Sequence, residues 1–143
     1  MIDAGNPSHP TFSPALEKAW QQWHQFLQDK DPQKLSDLLA EEVVFHSPVV
    51  WTPQQGKAIT ILYLMAASQV LSQGFTYVRK MRDGQHWGLE FTCQVGEIQV
   101  KGIDLIALNA EGKIIDFEVM VRPLKAIQAV HAAMGEMLQK FKP

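Results

Sequence analysis

A single cysteine, Cys93, in 143 residues excludes any disulfide within the chain. A reducing compartment is then the simpler expectation. There is no cluster of Lys and Arg. The formal net charge is -2 and the pI near 6.2. That lacks the basic footprint of a nucleic-acid binder, and of a protein drawn to an anionic membrane surface. The longest apolar run, Ile61 to Ala67, is far too short to span a bilayer. The first residues carry neither the charged nor the apolar segment of a secretory signal. A cytoplasmic protein is expected, with no nucleic-acid or membrane partner. Also missing are a P-loop, a G-x-G-x-x-G after a strand, a G-x-S-x-G elbow, and a histidine pair at H-x-x-x-H spacing with a carboxylate. Nucleotide, nucleophilic-serine and metal chemistry are therefore unsupported, and no cofactor is expected.

What is present is the composition of an ordinary globular domain, 46% apolar and 20% charged, at a length that buries a real core. Met1 to Phe12 is rich in Gly, Pro, Asn and Ser without periodicity and reads as a loose leader, with His9 solvated. Ser13-Pro14 is a helix start, a hydroxyl cap followed by proline at the first turn. Leu16, Ala19, Trp20, Trp23, Phe26 and Leu27 follow at helical spacing. Asp31-Pro32 repeats the signal for a short helix bearing Leu35, Leu38 and Leu39. Glu41 to Ser47 turns β-branched and aromatic, a strand stopped by Pro48. Pro53 to Gly56 reads as a loop. Lys57 to Ser72 reads as a helix, apolar nearly all round, so buried or at an interface.

The rest reads mainly as strands: Phe75 to Arg82, His86 to Val95, Ile98 to Leu108 and Lys113 to Arg122. Turns at Asp83-Gly84, Gly96-Glu97 and Asn109 to Gly112 separate them. Leu124 to Phe141 closes the chain as an amphipathic helix. Helices grouped before sequential strands predict an α+β fold with an antiparallel sheet, one face covered by helices.

One residue breaks the pattern. In Ile98 to Leu108 the apolar face reads Ile98, Val100, Gly102, Asp104, Ile106, Leu108. A carboxylate on a buried face costs several kcal/mol unless hydrogen-bonded, paired or protonated. A carboxylic acid kept neutral in an apolar cavity donates a hydrogen bond. The competing readings are a bulge at Gly102 turning Asp104 outward, or a structural pair with Arg79, Arg82 or Arg122.

The order of elements and several motifs resemble the nuclear transport factor 2-like superfamily, especially its SnoaL-like branch. The residues that carry this are the Trp/Phe-rich first helix, Asp31-Pro32, Val44-Phe45-His46-Ser47-Pro48 and Gly56-Lys57. To these add Gly102-Ile103-Asp104 and the run from Asn109 to Pro123. The resemblance implies a single domain over residues 13–143. It implies a curved antiparallel sheet wrapped around the helices into a cone with an apolar pocket in its open end. It also implies a homodimer through the sheet's outer face.

Within this superfamily, Asp104 matches the pocket acid of steroid isomerases. Their general-base aspartate would stand at Ser47, however, and their oxyanion tyrosine at Trp23. Two of three parts are replaced, which argues against steroid isomerase activity. A cyclase-type acid/base pair would be Asp104 with His46, if that ring turned inward. An epoxide-hydrolase arrangement would use Asp104 and Arg122 but lacks a second inward aspartate, since Asp116 alternates away from Phe117.

The predicted pocket lining is Trp20, Trp23, Phe45, Ser47, Tyr63, Trp87, Phe91, Ile106, Phe117, Val119 and Val121, with Trp51 as a lid at the mouth. Asp104 is the candidate acid/base and His46 the weaker one, its structural reading being the stronger. Ser47 suits a pocket-rim hydroxyl, Cys93 a small core hydrophobe, and His131 a buried or rim position. The expected function is binding of a small apolar or carbonyl-bearing molecule with general acid/base chemistry at Asp104. The alternatives are a non-catalytic ligand carrier or a dimeric interaction module.

Overall fold

A computed structural model describes residues 13–141; the leader 1–12 and its His9 lie outside the described residues. Four helices and six strands follow in the order α1 (Pro14–Asp29), α2 (Pro32–Leu38), β1 (Leu39–His46), β2 (Gln54–Gln55), α3 (Lys57–Val70), β3 (Thr76–Asp83), β4 (His86–Val95), β5 (Ile98–Leu108), β6 (Ile114–Arg122) and α4 (Leu124–Phe141). The caps are those read from the sequence. Ser13 Oγ accepts from the Leu16 N–H and Asp31 Oδ1 from the Gln33 N–H, each with proline at the first turn. Lys30 ends α1 in the left-handed region, φ 55°.

The six strands form one curved sheet in the order β2-β1-β6-β5-β4-β3. The strands β3 to β6 pair antiparallel, as does β1 with β2, while β1 runs parallel to β6, setting Phe45 against Phe117. Sequence reading had Gln54 and Gln55 in a loop; they form a two-residue edge strand. Helix α3 is less buried than its all-round apolarity predicts. Thr60, Leu64 and Ala66 are buried, and most of its other apolar side chains are half-buried.

One face of the sheet is apolar and covered. Trp23 lies 5.2 Å from Phe117 and Trp20 packs edge-on against Trp87, so α1 crosses the inner face. Helix α4 packs on α3 and against β4, β5 and β6. Two glycines are required by close approach. A Cβ on Gly102 would lie 2.4 Å from the Phe91 ring and 2.6 Å from the Met120 carbonyl oxygen. Gly112, at φ +79°, would place a Cβ 2.5 Å from the Ala15 carbonyl oxygen, so the β5–β6 turn docks on the start of α1. No described helix is long and apolar enough to cross a membrane.

Candidate active site

Strand β5 pairs with β4 in unbroken register, and its pairing with β6 shifts only beyond Ala107. No bulge therefore turns Asp104 outward. Its neighbours across the sheet are Leu89 and Val119, both buried, and Asp104 itself is 6% exposed. It lines a cavity of about 630 Å³ enclosed by α1, α3, α4, the inner sheet and the loop after β1.

The partner of Asp104 is Tyr77 on β3. The Tyr77 hydroxyl donates to Asp104 Oδ2 at 2.7 Å and accepts from Trp23 Nε1–H at 3.0 Å. A relay of Trp23, Tyr77 and Asp104 thus runs from α1 to the middle of the sheet. Among the described residues nothing bonds to Asp104 Oδ1. One carboxyl oxygen is held and the other is free for the pocket. Burial pushes the Asp104 pKa up to about 7, with the Tyr77 hydrogen bond opposing the rise. Burial, and the facing carboxylate, push the Tyr77 hydroxyl well above the ordinary tyrosine range, so it stays a donor. Near neutral pH the carboxyl therefore occupies both protonation states. It accepts a proton when ionised and donates one when neutral.

Tyr77 was not among the residues singled out from the sequence, and the reason is local. Strand β3 carries a bulge: Tyr77 pairs with Phe91 but Arg79 with Glu90, leaving Val78 extra. Plain alternation would put Tyr77 and Arg79 on one face. The bulge turns Tyr77 inward, Arg79 outward, and Lys80 and Arg82 inward opposite Leu89 and Trp87. Two of the three arginines considered as structural partners of Asp104 go elsewhere. Arg79 bonds Glu90, and Arg82 bonds Glu17 while stacking over Trp20.

Solved structures of known proteins match this fold over most of their length. A steroid delta-isomerase from Pseudomonas aeruginosa is 33% identical, with 93% of this chain and 98% of that chain covered and a TM-score of 0.86. A protein of cystatin-like fold from Silicibacter pomeroyi is 34% identical, with 90% of each chain covered and a TM-score of 0.81. A nuclear transport factor 2-like protein from Mesorhizobium loti, 19% identical over 80% of this chain and 98% of that one, has a TM-score of 0.69 and shares the fold. The chain belongs to the nuclear transport factor 2-like superfamily. No family model and no curated protein matches its sequence.

Within this nuclear transport factor 2-like cone the remaining sequence candidates separate into two groups. Trp23, Phe45, Ser47, Tyr63, Phe117, Val119 and Val121 line the cavity with Asp104. Trp20, Trp87, Phe91 and Ile106 do not line it; the last three are buried core, and Trp20 packs beside them. Trp51 stands 97% exposed on its loop and is no lid. His46 faces the other side of the sheet, where its Nε2–H donates to Asp116 Oδ1 at 2.8 Å. It cannot share a substrate with Asp104 from there. Ser47 Oγ accepts from the Val49 N–H, a loop-fixing role. His131 lines the cavity from α4, and His24, which sequence reading left aside, lines it from α1.

Cys93 lies in the inner core with its thiol pushed up to about 11, chiefly by burial and then by Asp104. It stays a neutral thiol. Among the described residues no group of His, Cys, Asp and Glu has the geometry to hold a metal.

Proposed function

We propose that the pocket binds a small, mainly apolar, carbonyl-bearing molecule and that Asp104 moves a proton on it. The observation that carries this is the free Oδ1 of a buried carboxyl poised near pH 7 in an apolar cavity. The ionised form removes a proton from a carbon activated by the neighbouring carbonyl. The neutral form returns that proton to another carbon of the same conjugated system. The net change is a shift of a double bond, with no proton gained or lost. Tyr77 holds Oδ2 so that Oδ1 keeps its aim through both steps. The steroid delta-isomerase neighbour supports this class of reaction. Ser47 and Trp23 still occupy the places of that class's base and oxyanion tyrosine, and Trp23 spends its N–H on Tyr77. Asp104 is the one carboxyl among the described lining residues. Turnover slower than that of a two-carboxylate isomerase follows.

The test follows the enone absorbance formed from 5-androstene-3,17-dione, with wild type and Asp104→Asn side by side. Native mass spectrometry of the purified protein adds any retained ligand. Turnover that disappears in Asp104→Asn supports the reading. No turnover, together with carbonyl-probe affinity that ignores both pH and Asp104, would sink it.

We also propose that the protein is cytoplasmic and pairs with a second copy through the outer sheet face, where Met81 and Met120 are 54% and 46% exposed. A stable monomer in sedimentation at micromolar concentration counts against the dimer.

A further inference from the structure

The charges around the cavity are unevenly placed. The one carboxyl among its described lining residues, Asp104, is deep and half-neutral near pH 7. Where β3 meets α1, the lining carries Lys80 and, at the end of α1, Lys30. Neither ammonium has a carboxylate partner among the described residues. Lys80 Nζ instead lies 3.3 Å from His24 Nε2 and 5.7 Å from the centre of the Trp20 ring.

That contact fixes the histidine. The Trp20 carbonyl oxygen, 2.8 Å from His24 Nδ1, can only accept, so Nδ1 carries the proton. A lysine ammonium can only donate, so Nε2 offers its lone pair. Burial, then the field of Lys80 and Arg82, lowers the His24 pKa and keeps the ring neutral. Lys80 is therefore steered by a neutral base and an aromatic face, neither of which cancels its charge. It is a positioned cation on the wall of a mainly apolar cavity.

The distance to the acid follows from the register. Lys80 pairs with Leu89 and Leu89 with Asp104, so the cation and the acid stand in one row two strands apart, and neighbouring strands lie ~4.8 Å apart. The two polar ends of the wall thus lie roughly 10 Å apart across the sheet, and the rings of Tyr77 and His24 lie beside each other, centroids 6.0 Å apart.

We infer that the ligand is an anionic carbonyl compound, with an apolar body, its carbonyl at Asp104 and a carboxylate at Lys80. This rests on the proposed function and narrows its ligand class.

Two naphthalene probes of nearly equal shape test it, 6-hydroxy-2-naphthoate and its primary carboxamide, their aryl oxygen standing in for the substrate's enol oxygen. Wild type at low ionic strength binds the carboxylate about fivefold tighter than the carboxamide. Added salt shrinks that preference. Lys80→Met abolishes it, lowering affinity for the carboxylate more than for the carboxamide, and Lys80→Glu reverses it. Because Lys80 is exposed, both variants are expected to fold, which thermal melting checks. Equal affinities in wild type, or a preference that survives in Lys80→Met, overturn the inference. Asp104→Leu separates the two levels. If it weakens the carboxamide while wild type shows no preference for the carboxylate, the reading of the site stands and the anion requirement falls. If it leaves the carboxamide unaffected, or neither probe binds at millimolar concentration, both readings fall.

Discussion

Glu90 on β4 and Asp104 on β5 are neighbours in one sheet. The register sets Asp104 against Leu89, the residue next to Glu90. Both are nearly hidden, at 7% and 6% exposure. They face opposite sides, and their acidities move in opposite directions. Glu90 is held down at about 2, first by its bonds to Arg79, with Lys101 adding to this. Asp104 is pushed up to about 7, having only the Tyr77 hydroxyl among apolar neighbours. The lesson concerns partners rather than depth. A hidden carboxylate with two cations is a fixed anion of the architecture. One with a neutral donor is a group that titrates where a cell works.

The sharpest way to break that contrast is Asp104→Asn. Loss of the titrating carboxyl should cut proton-transfer turnover by roughly 10²- to 10⁴-fold. It should also stabilise the fold, and the sign depends on pH. The folded pKa of Asp104, about 7, lies above its ordinary 3.8. Below that ordinary value both states hold the proton and the substitution changes little. Between the two values the unfolded chain loses its proton first, so wild-type stability falls as pH rises. Above the folded value the deficit levels off at about 4 kcal/mol. Denaturation of the two proteins at acidic and alkaline pH checks this, and curves that stay parallel throughout would refute it.

Tyr77→Phe should have the next largest effect. It removes the bond that opposes the rise, so the Asp104 pKa climbs further above about 7. Carbon-detected NMR of the carboxyl reads this directly, and an unchanged value would remove Tyr77 from the relay. Arg79→Met should act the other way on the outer face. The pKa of Glu90 rises from about 2 toward the ordinary range. Stability that wild type keeps at neutral pH, and loses only as pH falls toward that value, is then lost earlier in an acid titration. Probe binding in the pocket should not change. The smallest effect belongs to His46→Ala. Its ring pairs with Asp116 on the outer side, so ligand affinity should stay within about twofold. A larger loss would place His46 in the site after all.

How much of this could be read in advance depended on the regularity of each strand. Strand β5 alternates without a break from Ile98 to Ala107, so counting by twos placed Asp104 on the covered face. Strand β3 has one extra residue at Val78, so the same counting loses phase there and Tyr77 was missed. Its cue was faint, a lone tyrosine in a strand otherwise rich in charge. Trp20 failed for a different reason. Helical spacing places Trp20 and Trp23 on one stripe, but three residues turn the ring enough to send one into Trp87 and the other into the cavity. Trp51 sits in a loop, where no periodicity reports direction.

By itself, then, the sequence determined the elements other than β2, the N-caps of α1 and α2, the covered face of the sheet, and an acid out of place on that face. Those features are written in residues close along the chain, where spacing and local hydrogen bonds decide. Tertiary structure decided the parallel pairing of β1 with β6, the partner of Asp104, and the placing of a cation on the same wall. Each joins residues far apart in the chain. Tyr77 and Asp104 are separated by 27 positions and Trp23 and Tyr77 by 54. Their meeting depends on how the sheet curves and where a strand bulges. A carboxyl acquires its acidity from that meeting, because burial and hydrogen bonding exist only once the chain has closed around it.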